Sequence, residues 1–167
     1  MVHAHRSHHE HDARHVACAV ITVSDTRSVD TDTSGRSIQD LLRAHGHQVA
    51  HYEILKDEPE QITAAIRSLP PPTEVVIVNG GTGVARRDTT YEAVRQLLEK
   101  EISGFGELFR ALSYEQIGAA AMLSRATAGL VGARVVFSMP GSTAAVELAM
   151  TKLILPTLGH VVGLLRV

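Results

Sequence analysis

Glu74-Val75-Val76-Ile77-Val78-Asn79-Gly80-Gly81-Thr82-Gly83 reads as a short apolar, β-branched run that passes without a break into a glycine-rich loop. A continuous apolar run of this length fits a strand covered on both faces. The run Val16 to Val23 (VACAVITV) has the same character. Gln48 to Leu55 reads as another strand between these two. Helical spacing fills the intervals. Ile38, Leu41, Leu42 and His45 line one face of a segment opened by Ser34-Gly35 and stopped at Gly46, a residue suited to a left-handed C-terminal cap. Ile62, Ala65, Ile66 and Leu69 line the next, with Pro59 in its first turn and Pro70-Pro71-Pro72 as its break. Tyr91, Val94, Leu97 and Leu98 follow the glycine loop in the same pattern. Strand and helix in alternation predict βαβ units, a parallel sheet and right-handed crossovers.

Beyond Ile102 the pattern loosens. Gly104-Phe105-Gly106-Glu107 reads as a glycine-bearing turn into a helix, with Glu107 an acid at the helix start. Ala126 to Val131 and Arg134 to Met139 read as a hairpin around Gly132. Pro140-Gly141-Ser142 turns into an apolar helix that Pro156 is expected to end or kink. The expected fold class is therefore α/β, mostly parallel, with a C-terminal β-hairpin.

Composition narrows the function. The chain has 167 residues, 16 basic and 18 acidic side chains, a net charge of −2 and 44% hydrophobic residues. That length suits one domain with a core of its own. A near-neutral balance argues against a nucleic-acid binder working by bulk charge. The single cysteine, Cys18, excludes a disulfide framework. No run of about 18 apolar residues suggests a membrane span. The opening segment lacks the apolar core of a secretory signal. A cytoplasmic domain is expected over 16–167, preceded by a disordered tail over 1–15 that carries six of the ten histidines. Its His-x-His and His-His spacings could bind a transition metal weakly; a solvated tail explains them as well.

In an open parallel sheet, ligands bind beyond the carboxyl ends of the strands. Four loops lie there: 24–35, 55–59, 79–88 and 139–142. Gly80, Gly81, Thr82 and Gly83 would let backbone N–H groups face phosphate oxygens, although a tight turn without a ligand needs the same glycines. The loop matches neither the Walker A motif nor the dinucleotide fingerprint. Asp57 and Asp88 follow two strands and could reach one cleft. With phosphate oxygens they would suit Mg²⁺, while helix capping would account for each alone. Arg86 and Arg87 stand beside Asp88. Asp25 and Ser34-Gly35 would share the rim, Asp25 also fitting a simple turn. Ser142 reads as a helix cap at a natural anion site. Cys18, inside the first strand, reads as core.

Taken in order, Ser24-Asp25-Thr26, Asp32-Thr33-Ser34-Gly35, Asp57-Glu58, Gly80-Gly81-Thr82-Gly83, Arg87-Asp88-Thr89-Thr90, Gly104-Phe105-Gly106-Glu107, Leu123-Ser124-Arg125 and Met139-Pro140-Gly141-Ser142 resemble the MoaB/Mog family of molybdenum cofactor biosynthesis proteins. The resemblance spans residues 16–165. It implies a three-layer α/β/α molybdopterin-binding fold, assembled as a homotrimer or homohexamer. It implies binding of molybdopterin and transfer of AMP from Mg-ATP to the pterin's terminal phosphate. The product would pass to a molybdate-inserting, MoeA-like partner. Asp57 and Asp88 fall at the family's catalytic, Mg²⁺-associated acids. Gly80, Gly81, Thr82, Gly83, Arg87, Pro140 and Gly141 fall at its nucleotide and phosphate positions. Asp25, Ser34, Gly35, Glu107 and Ser142 fall at pterin-lining positions. Pro140-Gly141-Ser142-Thr143 resembles the MoaB branch more than the Mog branch. Some MoaB-type members lack the transferase activity, so a non-catalytic pterin carrier is the alternative.

Overall fold

A computed structural model describes residues 13–166. The expected N-terminal tail lies outside them as far as residue 12. The packed chain already includes Ala13, which is buried and whose N–H donates to Gly159 O at 2.8 Å.

Six strands form one sheet. They are β1 (Ala17–Val23), β2 (Gln48–Leu55), β3 (Val75–Asn79), β4 (Lys100–Glu101), β5 (Thr127–Val131) and β6 (Arg134–Met139). Their order is β2-β1-β3-β6-β5-β4. The first four in that order run parallel, and β5 is antiparallel to both β6 and β4. The helices are α1 (Thr33–Ala44), α2 (Pro59–Ser68), α3 (Thr90–Leu97), α4 (Ser103–Ile117), α5 (Thr143–Ala149) and α6 (Leu155–Leu165).

The alternation of side chains along a strand separates two cores. Cys18, Val20, Val75 and Ile77 pack with Ile38, Leu42, Phe109, Met150 and Leu158 from α1, α4 and the α5–α6 run. Ala19, Ile21, Val76 and Val78 pack with Ile62 and Ile66 of α2 and Val94 of α3. The molecule is thus a three-layer α/β/α sandwich, which explains why its central strands carry no polar alternation.

Three local features differ from the sequence expectation. Strand β4 was not anticipated, because two polar residues have no periodicity; its pairing with β5 creates it. Gly104 to Glu107 are not a turn but lie within α4. Helical Gly106 serves close packing there, since a Cβ would stand 2.5 Å from Ala126 O. Pro156 does not end the last helix; it sits in the first turn of α6. Residues Met150–Ile154 widen into a π turn between α5 and α6, which makes room for a ring that has no N–H. The Thr157 hydroxyl donates to Leu153 O at 2.7 Å, satisfying a carbonyl in that turn. The run Thr143–Leu165 is long and apolar enough, by length and composition, to cross a membrane. Here its stripe Val146, Met150, Ile154, Leu158 and Val162 is buried on the sheet.

Candidate functional site

The loops after β1, β2, β3 and β6 meet at the carboxyl edge of the parallel strands. Met139 O accepts from Gly80 N at 3.0 Å, and Leu55 O accepts from Ser24 N at 2.8 Å. These bonds tie neighbouring loops together in pairs. Gly80 has φ +104°, and a Cβ there would stand 2.1 Å from Val23 O. Gly81 has φ +64°, and its Cβ would stand 2.4 Å from Asp57 Oδ2 and 2.1 Å from Thr90 Oγ1. Both positions therefore require glycine, for conformation and for space.

Asp57 does not cap α2. The residue at that position is Glu58, which makes no side-chain cap bond. Asp57 instead crosses to the glycine loop. Its Oδ1 accepts from Thr89 N at 3.1 Å, Thr89 Oγ1 at 2.7 Å and Thr90 Oγ1 at 3.4 Å. Those three bonds fall on one oxygen, and the other lies against Gly81. Asp25 Oδ1 in turn accepts from Asp57 N at 3.2 Å. Asp88 does not cap α3 either: Thr89 stands at that position, and Asp88 Oδ2 accepts from Ala85 N at 3.0 Å, closing its own loop. Asp25, Asp57, Asp88, Arg87 and Gly81 line one polar cleft of about 130 Å³. The structure thus brings together the acids that the sequence placed on separate strand ends. Arg86 is exposed and outside that lining.

A second group adjoins the first. A Cβ on Gly141 would stand 3.1 Å from Gly80 Cα, so the Pro140-Gly141 turn leans on the glycine loop. Gly141 O accepts from Ser34 Oγ at 2.7 Å and from Arg27 Nη2 at 3.0 Å. Ser142 caps α5, its Oγ accepting from Ala145 N at 3.3 Å. Gly35 is buried at the start of α1 against Asp32, where a Cβ would stand 2.1 Å from Oδ2. Ser34 and Gly35 thus shape the rim from beneath.

Asp32, Arg27 and Arg125 stand in the sequence without an assigned role. Asp32 is fully buried and accepts four bonds. They come from Gly35 N (2.9 Å), Thr22 Oγ1 (2.6 Å), Tyr52 OH (2.7 Å) and Arg27 Nη1 (3.4 Å). The Asp32-to-Gly35 spacing, a cap three residues before its donor, is the signal that could have found it. Burial and the bond to Asp32 push the Tyr52 phenol up to about 12. Arg125, distant in sequence, pins the loop after β3. It donates to Gly83 O at 2.6 Å and Asp88 O at 3.0 Å, pairs with Glu92, and lies 4.9 Å over the Tyr91 ring. That bond holds the Glu92 carboxyl below its usual range.

Glu107 is not brought to the acidic cleft. It lines a separate cavity of about 330 Å³ with Tyr91, Arg110, Ser124, Arg125 and Thr127. Ser124 Oγ and Thr127 Oγ1 are buried there without a hydrogen-bond partner. Arg125 belongs to both regions, bonding the glycine loop and lining this cavity.

A three-layer sandwich with acids and glycine turns at the carboxyl edge of its sheet has the arrangement in which open α/β domains bind ligands. Residues 19–160 match the family model described as "Probable molybdopterin binding domain", and the chain belongs to the MoaB/Mog family of molybdenum cofactor biosynthesis proteins. It is 54% identical over 157 residues to molybdenum cofactor biosynthesis protein B of Halalkalibacterium halodurans, covering 92% of each chain. To the protein of the same name from Bacillus subtilis it is 52% identical, covering 90% of this chain and 91% of that one. Among solved structures, the tungsten cofactor synthesizing protein MoaB from Pyrococcus furiosus superimposes with a TM-score of 0.82 at 37% identity. That match covers 92% of this chain and 99% of the other.

Proposed function

We propose that the chain acts in molybdenum cofactor biosynthesis in the cytoplasm, binding molybdopterin and adenylylating it with Mg-ATP. The observation that supports this reading most is the convergence of Asp25, Asp57 and Asp88 with Arg87 and Gly81 in one cleft. A hard, all-oxygen donor set suits Mg²⁺, which keeps waters and substrate phosphate oxygens rather than a full protein cage. Among the described residues no three His, Cys, Asp or Glu converge tightly enough to hold a metal alone, so waters and phosphate oxygens would have to complete the shell. Bound there, Mg²⁺ would neutralise charge on the nucleotide phosphates.

The chain's own residues supply positioning and fixed charge. Thr89 and Thr90 hold Asp57 through Oδ1, leaving Oδ2 beside Gly81 at the cleft lining. The glycine loop admits a phosphate close to the backbone, and Arg87 offsets negative charge at the lining. Arg27 lies beside the Gly80–Gly141 contact. In the reaction an oxygen of the pterin's terminal phosphate bonds to the α-phosphorus of ATP. The α–β bond breaks and pyrophosphate leaves. Catalysis of such transfers rests on alignment and charge stabilisation, without a covalent enzyme intermediate. Glu107, Ser124 and Thr127 offer the pterin polar partners in the adjoining cavity.

Pyrophosphate release with purified protein, molybdopterin and Mg-ATP tests this directly. Asp57→Ala and Asp88→Ala should each lower turnover by about a hundredfold or more. Wild-type turnover in both variants would remove these acids from the mechanism. The likeness to proteins named protein B supports a second reading, a non-catalytic pterin carrier. It predicts pterin binding with no pyrophosphate at all. A homotrimer or homohexamer, and delivery of product to a MoeA-like protein, complete the proposal. Light scattering and co-purification test them.

A further inference from the structure

The loop after β3 brings Arg87 and Asp88 to the acidic cleft, yet packing gives it little support: Val84, Ala85, Arg86 and Arg87 are all exposed. Asp88 Oδ2 closes the loop on Ala85 N, which fixes its shape more than its place on the domain. Arg125 spans it from outside. Its Nε donates to Gly83 O at 3.0 Å and Thr82 O at 3.3 Å, and its Nη2 to Gly83 O at 2.6 Å and Asp88 O at 3.0 Å. A planar guanidinium can bridge both ends of the loop in this way, and a point-like ammonium cannot.

The same side chain lines the cavity of about 330 Å³ that holds Glu107. Its neighbours in sequence face that cavity too. Ser124 Oγ and Thr127 Oγ1 are buried in the lining without a partner, and Arg110 Nη1 reaches Ser124 O and Ala126 O at 3.4 Å each from α4. A buried hydroxyl without a partner is costly, so a ligand that bonds Ser124 and Thr127 is favoured and holds the segment between them. Arg125, whose side chain is 25% exposed, then loses its freedom to leave the loop for water.

We propose that Arg125 is a positioning residue that couples the two subsites: a ligand filling the Glu107 cavity fixes residues 124–127, and Arg125 passes that order to the loop bearing Asp88. This rests on the reading that molybdopterin takes the cavity and Mg-ATP the acidic cleft. The pterin then sets Asp88 in place for the nucleotide, and linkage requires the nucleotide to tighten pterin binding by the same factor.

Amide hydrogen exchange of the full chain, with and without molybdopterin, tests the coupling without turnover. Bound molybdopterin should slow exchange over residues 83–88 at least about fivefold in wild type. It should leave the rate unchanged in Arg125→Lys, which keeps the charge but loses the bridge. Equal slowing in both, or bound pterin with no slowing in wild type, overturns the coupling and leaves the functional reading intact. No pterin binding to wild type overturns both. The second measurement uses Mg²⁺ with α,β-methylene-ATP, whose bridge blocks loss of pyrophosphate. Saturating molybdopterin should lower its Kd at least about fivefold in wild type and less than about twofold in Arg125→Lys. A merely weakened fold would lower both affinities and keep the factor, so a retained factor also overturns the proposal. Glu92→Gln removes the ion pair at Nη1 but leaves the loop bonds, and should give an intermediate factor even if Arg125→Lys does not fold. A wild-type factor in Glu92→Gln then counts against the proposal.

Discussion

Replacing Asp32 by alanine tests how the floor of the site is built. The carboxylate is fully buried and has four donors, so its removal acts through several separable losses. The N-terminal cap on Gly35 N contributes about 1 kcal/mol. The Thr22 hydroxyl and the Tyr52 phenol each lose an acceptor, at about 1 kcal/mol apiece. Thr22 Oγ1 still accepts from Asn79 Nδ2 at 2.9 Å, but its own O–H is left without the acceptor it had. The Arg27 ion pair adds little, because the Arg27 side chain is 29% exposed and water screens it. Together these give a destabilisation of about 3–4 kcal/mol, or roughly 8–14 °C in Tm for a chain of this size. Asp32→Asn keeps one oxygen for Gly35 N and offers an amide that hydroxyl lone pairs can accept, so about 1–2 kcal/mol is expected. Urea unfolding followed by circular dichroism, at one fixed protein concentration, measures both. A loss below about 1 kcal/mol for Asp32→Ala would refute the view of this carboxylate as the hub joining α1, β1, β2 and the Arg27 loop.

Three further outcomes follow from the same geometry. Gly80→Ala places a Cβ against Val23 O in a left-handed backbone, and should cost about 3 kcal/mol or more in urea unfolding while disturbing nucleotide binding. Tyr52 ionises at about 12 in the fold against 10.0 ordinarily. The folded state therefore favours the protonated phenol, a contribution fully present below pH 10 and lost as pH rises towards 12. Tyr52→Phe should flatten unfolding free energy across that window. Cys18 is buried, and burial with the Glu74 charge pushes its thiol up to about 12. Native protein should leave a thiol reagent unreacted at pH 8, with one equivalent titrating on unfolding.

The layered fold was legible because central parallel strands announce themselves. Val75 to Val78 and Cys18 to Ile21 are apolar on both sides, and only a sheet covered on both faces explains that pattern. The failures have equally physical causes. Lys100–Glu101 has no intrinsic strand character, and only β5 makes it one. Pro156 breaks helices by local rules, and only the π turn beneath it, with the Thr157 hydroxyl, lets this helix continue.

For the site, local sequence identified the residue types and the strand ends that carry them. Asp57 and Asp88 each read equally well as helix caps, because a carboxylate ahead of a helix has the same signature in both roles. Tertiary structure separated those readings. Asp57 bonds Thr89, Thr90 and the Asp25 loop instead of its own helix, bonds spanning some thirty residues that no local pattern encodes. The same holds for Arg125, which reaches the glycine loop from beyond α4. It holds too for Glu107, which folding assigns to a neighbouring cavity. Periodicity and turn chemistry act over a few residues, so the sequence alone determined most of the elements and the strand edge where the polar loops lie. Which acids share a cleft depends on strand order and on loops meeting in space, and only the folded chain decided that.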